Sequence, residues 1–400
     1  MSQSVHASFV PLRRTFGLSV LELLRLRSPR QIVIWGAGTL GRCLLRQFKR
    51  ASPETPVCFV DQSEKLRGCV RDGGVVFGLD DLSQLFSKEP SSYVIVAAGS
   101  HYPLVRSELE RLGRAEGKDF CNFQKISRPE AIIEIAARSA VEKGATNQYL
   151  PVKTFSQIVN NFAREMRDIF AIDLTGWGRP IIHPDIAEIV RISEAVAPTK
   201  LSVSINEPIE LIRSGFLTGL TQFTVTVEDE LTDDNIVLLE CLADASRGVP
   251  TELRVLFTEF QDNIKSLPLI TEQCATLGLR LVRDLGYPSS YDRFLDALES
   301  GRDFGNQFNR LPWPVSNALI AARSEREREC LCQRIFPVVH SDASVSVCHL
   351  YSERRLSARA DMDSIEQLFE KRSTADLCRS CQNFGLHRLD IDVLRRRNKI

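Results

Sequence analysis

The sequence lacks the features typical of membrane-spanning, secreted and general nucleic-acid-binding proteins. It contains no run of about 18 apolar residues, so no segment is predicted to cross a membrane. Residues 1–17 lack the apolar core of a signal peptide. The 51 basic residues are balanced by 51 acidic ones, which leaves no positive excess for general binding to nucleic acid. With 43% apolar and 26% charged residues, the composition is that of a globular protein, and we expect it to be cytoplasmic.

Disulfide bonds are not expected to hold the fold together. The chain has 11 cysteines, an odd number, and no secretion signal accompanies them. The scattered ones lie mostly among apolar residues and are expected to be small buried side chains: Cys43, Cys58, Cys69, Cys121, Cys241 and Cys274. The other five crowd towards the C-terminus, which indicates a chemical role: Cys330, Cys332, Cys348, Cys378 and Cys381.

A length of 400 residues suggests two or three domains. The predicted fold class is α/β, with a Rossmann-like parallel sheet followed by a partial (β/α)6 barrel. The last domain is cysteine-rich and short on predicted strands. The predicted boundaries are a tail and short helix in 1–29, the Rossmann-like domain in 30–125, the barrel in 130–310 and the cysteine-rich domain in 311–400.

The N-terminal domain carries a glycine motif in the context of a dinucleotide-binding unit. A predicted strand runs into Gly36, Gly38 and Gly41, and an amphipathic helix follows. A second predicted strand ends at Asp61, 20 residues after the last glycine. Glycines there allow a tight turn and let a phosphate approach the helix N-terminus. NAD or a nucleotide sugar is the candidate ligand, and the alternative is that the turn serves packing alone.

The stretches FVDQSEKLRG and VFGLDDL that follow resemble the short Rossmann-like modules attached to sugar-modifying enzymes.

Strands and helices alternate through the middle of the chain, which predicts a parallel sheet. A closed eight-stranded barrel needs roughly 250 residues, and this region is shorter, so we predict a partial barrel. The predicted strands are Ile132–Ala136, Ile169–Leu174, Leu201–Ile205, Phe223–Val227, Leu253–Phe257 and Leu279–Val282.

Four of the C-terminal cysteines form a candidate metal centre: Cys332, Cys348, Cys378 and Cys381. The last two make a CxxC pair, and four thiolates suit either Zn²⁺ or an iron–sulfur cluster. Cys330 is expected to be a spare. Three histidines could replace one thiolate, although each is expected to be a surface or capping residue: His340, His349 and His387. Ahead of the CxxC pair, a helix is predicted to begin with Asp363 as N-cap and Glu366 completing a capping box.

Two stretches resemble a known family. The segment from Cys332 through Pro337 to Cys348 is similar to the start of a SPASM or twitch domain, and SIEQLF at 364–369 fits the same pattern. The motif GWGRPIIHPD, from Gly176 to Asp185, resembles the GxGEPxxHPD motif of the radical S-adenosylmethionine (radical SAM) barrel. The resemblance covers roughly residues 130–390. It implies a partial (β/α)6 barrel followed by a SPASM/twitch-like domain that binds an auxiliary [4Fe–4S] cluster.

The sequence departs from that family at both halves of the S-adenosylmethionine site. The CxxxCxxC loop that holds the radical SAM cluster is missing, since no cysteine occurs between Cys121 and Cys241. Arg179 stands where the family's motif has the glutamate that meets the cationic amino group of the methionine moiety, and a guanidinium repels that group. We therefore expect a degenerate barrel that does not use S-adenosylmethionine. Arg179 would either hold an anionic ligand at the barrel mouth or pair with Asp173 or Asp185.

Three functions stay open at this point. The first is a non-catalytic iron–sulfur protein that assists a radical SAM or other biosynthetic enzyme by electron transfer or substrate presentation. The second is an enzyme of different chemistry, acting at the auxiliary cluster or on a nucleotide held by the Rossmann-like domain. The third is a binding module stabilised by zinc. Neither a nucleic acid nor a membrane is an expected partner.

Overall fold

A computed structural model describes the chain except residues 1–18, 99–100, 127–128, 138–147, 166–168, 176–177, 208–215, 230, 286–290, 301–334, 349–350, 374–375, 385 and 387–400. The chain divides into two compact units, one formed by 1–129 with 166–171 and the other by 130–165 with 172–400. None of the described helices is long and apolar enough to cross a membrane.

The first unit is built around a six-stranded sheet in the order β3-β4-β2-β1-β5-β6. All neighbouring strands pair in parallel except β3 and β4, which form an antiparallel hairpin. The strands are β1 Gln31–Trp35, β2 Val57–Val60, β3 Val70–Arg71, β4 Gly74–Phe77, β5 Ser92–Val96 and β6 Phe120–Asn122, and the helices are α1 Val20–Arg27, α2 Thr39–Ala51, α3 Leu82–Lys88 and α4 Tyr102–Arg111.

Both faces of this sheet are covered, because alternate residues of the central strand β1 enter two separate apolar cores. Ile32 and Ile34 pack with Phe48 of α2 on one face. Val33 packs with Val94 and Leu109 of α4 on the other. The sheet is therefore a buried parallel sheet between helices.

The second unit is a nine-stranded sheet in the order β12-β11-β10-β9-β8-β7-β13-β14-β15. Six of these strands, β7 to β12, follow one another in chain order, and each has a counterpart among the six predicted strands. The strands are β7 Glu130–Ile133, β8 Ala171–Asp173, β9 Thr199–Ser204, β10 Gln222–Val227, β11 Glu252–Glu259, β12 Arg280–Leu285, β13 Ile335–Val339, β14 Ser344–Cys348 and β15 Tyr351–Arg359.

Helices follow most of these strands, so the mixed α/β class with parallel sheets is confirmed. They are α5 Val152–Glu165, α6 Ile186–Val196, α7 Asp233–Ser246, α8 Leu267–Leu277, α9 Tyr291–Ser300, α10 Ile365–Ser373 and α11 Asp376–Phe384.

The C-terminal region is richer in strands than predicted. β13 pairs in parallel with β7, and β14 and β15 continue the same sheet through antiparallel pairing. The prediction of a strand-poor region was wrong. These strands are held by pairing with β7 and with one another, and such pairing does not show in the local sequence. The cap of α10 also differs from the prediction: Ser364, not Asp363, accepts a hydrogen bond from the N–H of Gln367, whose side chain accepts the Ser364 N–H in return.

Candidate functional site

The glycine motif between β1 and α2 has the geometry that requires glycine at two positions. Gly36 has φ +116°, a value that other residues rarely adopt. A Cβ atom at Gly41 would overlap the carbonyl oxygen of Gly36 and press on Ile34, so this glycine lets α2 approach β1. At Gly38, the N-cap of α2, a Cβ would meet no atom of the described residues within 4 Å. Of the three glycines, Gly38 alone has open space beside it in the described structure.

Asp61 lies beside the glycine turn, as the sequence predicts, but its carboxylate serves the backbone of the turn. Its Oδ2 accepts a hydrogen bond from the N–H of Ala37 at 2.8 Å. Its Oδ1 accepts one from the N–H of Ser63 at 2.9 Å. The acid therefore ties the turn after β1 to the end of β2, which is a structural role that the motif alone did not reveal.

The basic residues of α2 face a buried acid rather than the glycine turn. Asp72 sits between β3 and β4 with φ 50°, and its carboxylate lies 2.5 Å from both Arg42 and Arg46. Only 5% of the Asp72 side chain is exposed. Lys49 adds a hydrogen bond to the Asp72 carbonyl oxygen at 3.1 Å. These cations dock the β3–β4 hairpin onto α2.

The predicted metal ligands are only partly described. Cys348 is the last residue of β14 and is buried. Cys378 and Cys381 lie on α11, where a spacing of three residues makes them neighbours on the helix surface. Cys330, Cys332, His349 and His387 lie outside the described residues. No three Cys, His, Asp or Glu side chains are grouped as a metal ion requires in the part of the chain that is described, so the four-thiolate centre stays a prediction.

His340 differs from both roles predicted for it. It is buried, with 3% exposure, in the turn that joins β13 to β14. Its Nδ1 lies 2.7 Å from Oε2 of Glu134, just after β7, and its Nε2 lies 2.5 Å from Oγ of Ser346 on β14. Both ring nitrogens thus form hydrogen bonds within the protein. His340 is therefore not a surface residue, and neither nitrogen is left to bind a metal in place of a thiolate.

The order carboxylate, imidazole, hydroxyl is that of a nucleophilic triad, but its burial argues against that use. Ser346 has 0% exposure, and Glu134 has 6%. A nucleophile must meet its substrate, and this hydroxyl is closed off by the fold. Burial raises the pKa of Glu134 to about 7, opposed by the charge of Arg355 and assisted by that of Asp342. We interpret the three groups as a buried hydrogen-bonded chain that fixes the β13–β14 hairpin to β7.

Arg179 is paired, but not with either predicted carboxylate. Its Nε lies 3.0 Å from Oε1 of Glu207, in the turn after β9. Asp173 instead accepts the N–H of Thr175 at 2.9 Å, and the backbone N–H of Asp185 donates to His183. The partner was predicted wrongly because Glu207 is distant in sequence. Glu207 thus takes the place of the two predicted carboxylates, and the anionic ligand of Arg179 stays a prediction.

The rest of the 178–185 segment packs against the end of β7. A Cβ at Gly178 would overlap the carbonyl oxygen of Ala136, and that oxygen accepts the N–H of Arg179 at 3.1 Å. His183 is buried, with Nε2 3.0 Å from the carbonyl oxygen of Leu150. Because its Nδ1 accepts a hydrogen bond from the N–H of Asp185, Nε2 carries the proton and donates a hydrogen bond to the carbonyl oxygen of Leu150. The described part of the motif is thus a packing element.

Comparison with known proteins gives only distant similarities. The sequence matches no protein-family model and no curated protein. The structure is similar to SuiB of Streptococcus suis bound to S-adenosylmethionine, with a TM-score of 0.40, 11% identity and coverage of 72% of this chain and 76% of that one. SuiB bound to the precursor peptide SuiA gives 0.43 and 10%, with the same coverage. BtrN in complex with AdoMet and 2-DOIA gives 0.37 and 11%, covering 64% of this chain and 87% of that one. Because these scores and identities are low, the functional argument rests on this chain's own residues.

Proposed function

We propose that the chain is a non-catalytic iron–sulfur protein with a degenerate radical-SAM-like barrel, accessory to a radical SAM or other biosynthetic enzyme. It would serve by electron transfer or substrate presentation. The observation that carries the proposal is the ion pair of Arg179 with Glu207. The residue that replaces the motif's glutamate is held by a second carboxylate, so this position is not available to the ammonium group of S-adenosylmethionine.

Two further features support this reading of the barrel. Six strands follow in chain order, β7 to β12, and β8 to β12 pair in parallel, as a partial (β/α)6 barrel requires. The segment 137–150 that follows β7 contains no cysteine, so it offers no thiolate to a cluster at the mouth.

The auxiliary cluster is supported by the chemistry of its donors. Cys332, Cys348, Cys378 and Cys381 would supply four thiolates, and a [4Fe–4S] cluster would give the protein a one-electron redox centre. A hairpin, β13–β14, ends at Cys348, as the resemblance to SPASM domains implies. The described residues do not bring three such ligands together.

Metal analysis tests the proposal directly. Protein purified without oxygen and reconstituted with iron and sulfide should be brown and hold about four iron atoms per chain. Serine variants of the four candidate ligands should lose iron. Cys330→Ser and Cys241→Ser, the latter an exposed cysteine elsewhere in the fold, are the controls and should keep it. Full iron content in Cys378→Ser or Cys381→Ser would overturn the assignment, and a colourless protein holding zinc would favour the binding-module alternative.

Cofactor cleavage tests the degenerate barrel. Anaerobic incubation of reconstituted protein with S-adenosylmethionine and a strong reductant should yield no 5′-deoxyadenosine above a protein-free control. Turnover that depends on this chain would show that the barrel is catalytic.

A second candidate function is nucleotide binding at the glycine turn, favoured by the open space beside Gly38. The turn follows β1, which has β2 on one side and β5 on the other, and ligands of parallel sheets bind where the strand order reverses in this way. Calorimetric titration with NAD, NADP and a nucleotide sugar decides between binding and a scaffold role. Micromolar binding that is lost in Gly38→Val, at an unchanged unfolding temperature, would establish a ligand site. Equal results for both proteins would leave the turn as a scaffold.

A further inference from the structure

One face of the second unit's sheet carries two rows of polar side chains across neighbouring strands. Asp173, Lys200, Gln222 and Glu252 are aligned in register on β8 to β11. Ser202, Thr224, Arg254 and Arg280 are aligned on β9 to β12. On every strand that contributes to both rows, the two members lie two residues apart, so all of them share one face of the sheet. We call this surface, from Asp173 to Arg280, the polar face.

The residues between these rows show that the opposite face is the packed one. Along β9, Thr199, Leu201 and Val203 are buried, while Lys200, Ser202 and Ser204 are partly exposed. Phe223 and Val225 of β10 and Val255 of β11 are likewise buried. In the middle of the polar face, Gln222 and Thr224 are also buried, whereas the members on the flanking strands are partly exposed. Polar groups in such a place need hydrogen-bond partners in the protein, in water or in a ligand.

Two cations of the polar face, Lys200 and Arg280, are paired with carboxylates, and Arg254 is not. Lys200 lies 2.8 Å from Glu130, and Arg280 lies 2.7 Å from Glu252. Arg254 donates its Nε–H to Thr224 Oγ1 at 2.9 Å, and it forms no ion pair with a carboxylate anywhere in the described structure. One N–H of its guanidinium is used, and the remaining donors are left for another acceptor.

The neighbours of Arg254 act on its charge in both directions. Arg280 is directly opposite in the register, and like charges in that position destabilise a strand pair. Burial lowers the pKa of the Arg254 guanidinium, and the charge of Arg280 lowers it further, against the opposing effects of Glu252, Asp173 and Glu130. An anion beside Arg254 would relieve both effects.

We infer that the polar face binds a small molecule through its carboxylate or phosphate group, with Arg254 as the principal donor. Two observations carry this inference. Hydrophilic groups line strands whose other face is packed, and the half-buried Arg254 guanidinium has no carboxylate within ion-pair distance among the described residues. The assigned position differs from the mouth at Arg179, where Glu207 forms the ion pair. It depends neither on the iron–sulfur centre nor on the glycine turn.

The test compares Arg254 with an arginine outside the polar face. Parent protein, Arg254→Gln and Arg191→Gln are titrated with inorganic phosphate and separately with succinate, with chloride matching the ionic strength throughout. Affinity is read by calorimetry and by the shift of unfolding temperature. Loss of a charge-assisted hydrogen bond predicts that Arg254→Gln weakens binding about tenfold or more. Arg191→Gln, which replaces an exposed arginine of α6 that is paired with Glu188, should change it about twofold or less.

The two probes separate the sources of the anionic group, since preference for phosphate or for succinate identifies the ligand class. Arg254→Lys keeps the charge but loses the guanidinium fork and should fall between the parent and Arg254→Gln. If Arg254→Gln does not fold, Arg254→Lys alone provides the comparison with the parent protein. Equal affinity in the parent and both Arg254 variants, or no binding of either anion up to ~10 mM, would overturn the inference. So would an unfolding temperature that is lowered equally in Arg254→Gln with and without the anion, because that result marks a purely structural arginine.

Discussion

Oε2 of Glu134 lies 2.7 Å from Nδ1 of His340, although 206 residues separate them in the sequence. The carboxyl group belongs to the end of β7 and the imidazole to the turn of the β13–β14 hairpin. Both are buried, and Ser346 occupies the other ring nitrogen. Burying an unpaired ionised group costs several kcal/mol. The carboxyl group and the imidazole therefore each need the other as a hydrogen-bond partner. The pair therefore makes the parallel contact of β13 with β7 specific.

Removing the imidazole should destabilise the second unit strongly. His340→Ala leaves the Glu134 carboxyl group buried without its partner, and an unsatisfied buried polar group costs about 1–3 kcal/mol or more. Urea unfolding measures the loss. Arg191→Ala, which breaks an exposed pair with Glu188, is the control and should cost about 0–1 kcal/mol. An equal loss in the two variants would contradict the role assigned to His340.

The same pair predicts a dependence of stability on pH. Burial raises the pKa of Glu134 to about 7 from an ordinary value of 4.5. The folded state therefore binds this proton more tightly than the unfolded state does. Its contribution to the free energy of unfolding is fully present below pH 4.5 and is lost as pH rises through about 7.

Glu134→Gln tests this dependence because it keeps the shape of the side chain and removes its titration. In the parent, the free energy of unfolding measured in urea should fall between about pH 5 and pH 8. The groups that face the carboxyl group, His340, Arg355 and Asp342, stay in place in the variant. A slope as steep in Glu134→Gln as in the parent would rule out this carboxyl group as its source.

The parallel strands and the glycine turn could be predicted because their signals are local. Alternation along β9 and the apolar stretch of β1 each identify a strand from a few consecutive residues. The turn at Gly36 needs a left-handed conformation, and close packing at Gly41 needs a missing side chain, so both requirements show in the sequence itself.

Pairings across the chain could not be predicted in the same way. Nothing near Arg179 identifies Glu207, and nothing near His340 identifies Glu134, because each partner is set by the order of strands in the sheet. A local ambiguity also misled the prediction for α10. Asp363 and Ser364 are adjacent candidate caps. Ser364 caps the helix, because Asp363 accepts hydrogen bonds from the Arg359 N–H and from Lys371 instead.

Two glycines of the same turn should respond differently to one methyl group. Gly41→Ala forces a Cβ against the Gly36 carbonyl and should destabilise the first unit by about 1–3 kcal/mol or more, as overpacking does. Gly38→Ala meets no described atom and should cost less, about 1 kcal/mol or below, because alanine is only a poorer N-cap than glycine. Thermal unfolding of both variants measures the difference. Similar losses would mean that α2 does not depend on its close approach to β1.

The buried acid of the β3–β4 hairpin should control the acid limit of stability in the first unit. Although burial raises it, the pKa of Asp72 is lowered overall by the hydrogen bonds and charges of Arg42 and Arg46. This stabilisation is present above the ordinary value of 3.8 and is lost as pH falls through the lowered value. Asp72→Ala should cost about 3–5 kcal/mol near neutral pH, since two arginines lose their buried partner.

Asp72→Asn separates charge from backbone conformation, because asparagine tolerates the left-handed region that Asp72 occupies. It should lose the ion pairs while keeping the turn, and its stability should no longer fall at acid pH through this group. Asp244→Ala, which breaks an exposed pair with Arg247, is the matched control and should lie within about 0.5 kcal/mol of the parent. If Asp72→Asn unfolded at the same acid pH and urea concentration as the parent, the ion pairs with Asp72 would not contribute to stability, and other partners would hold the arginines of α2 in place.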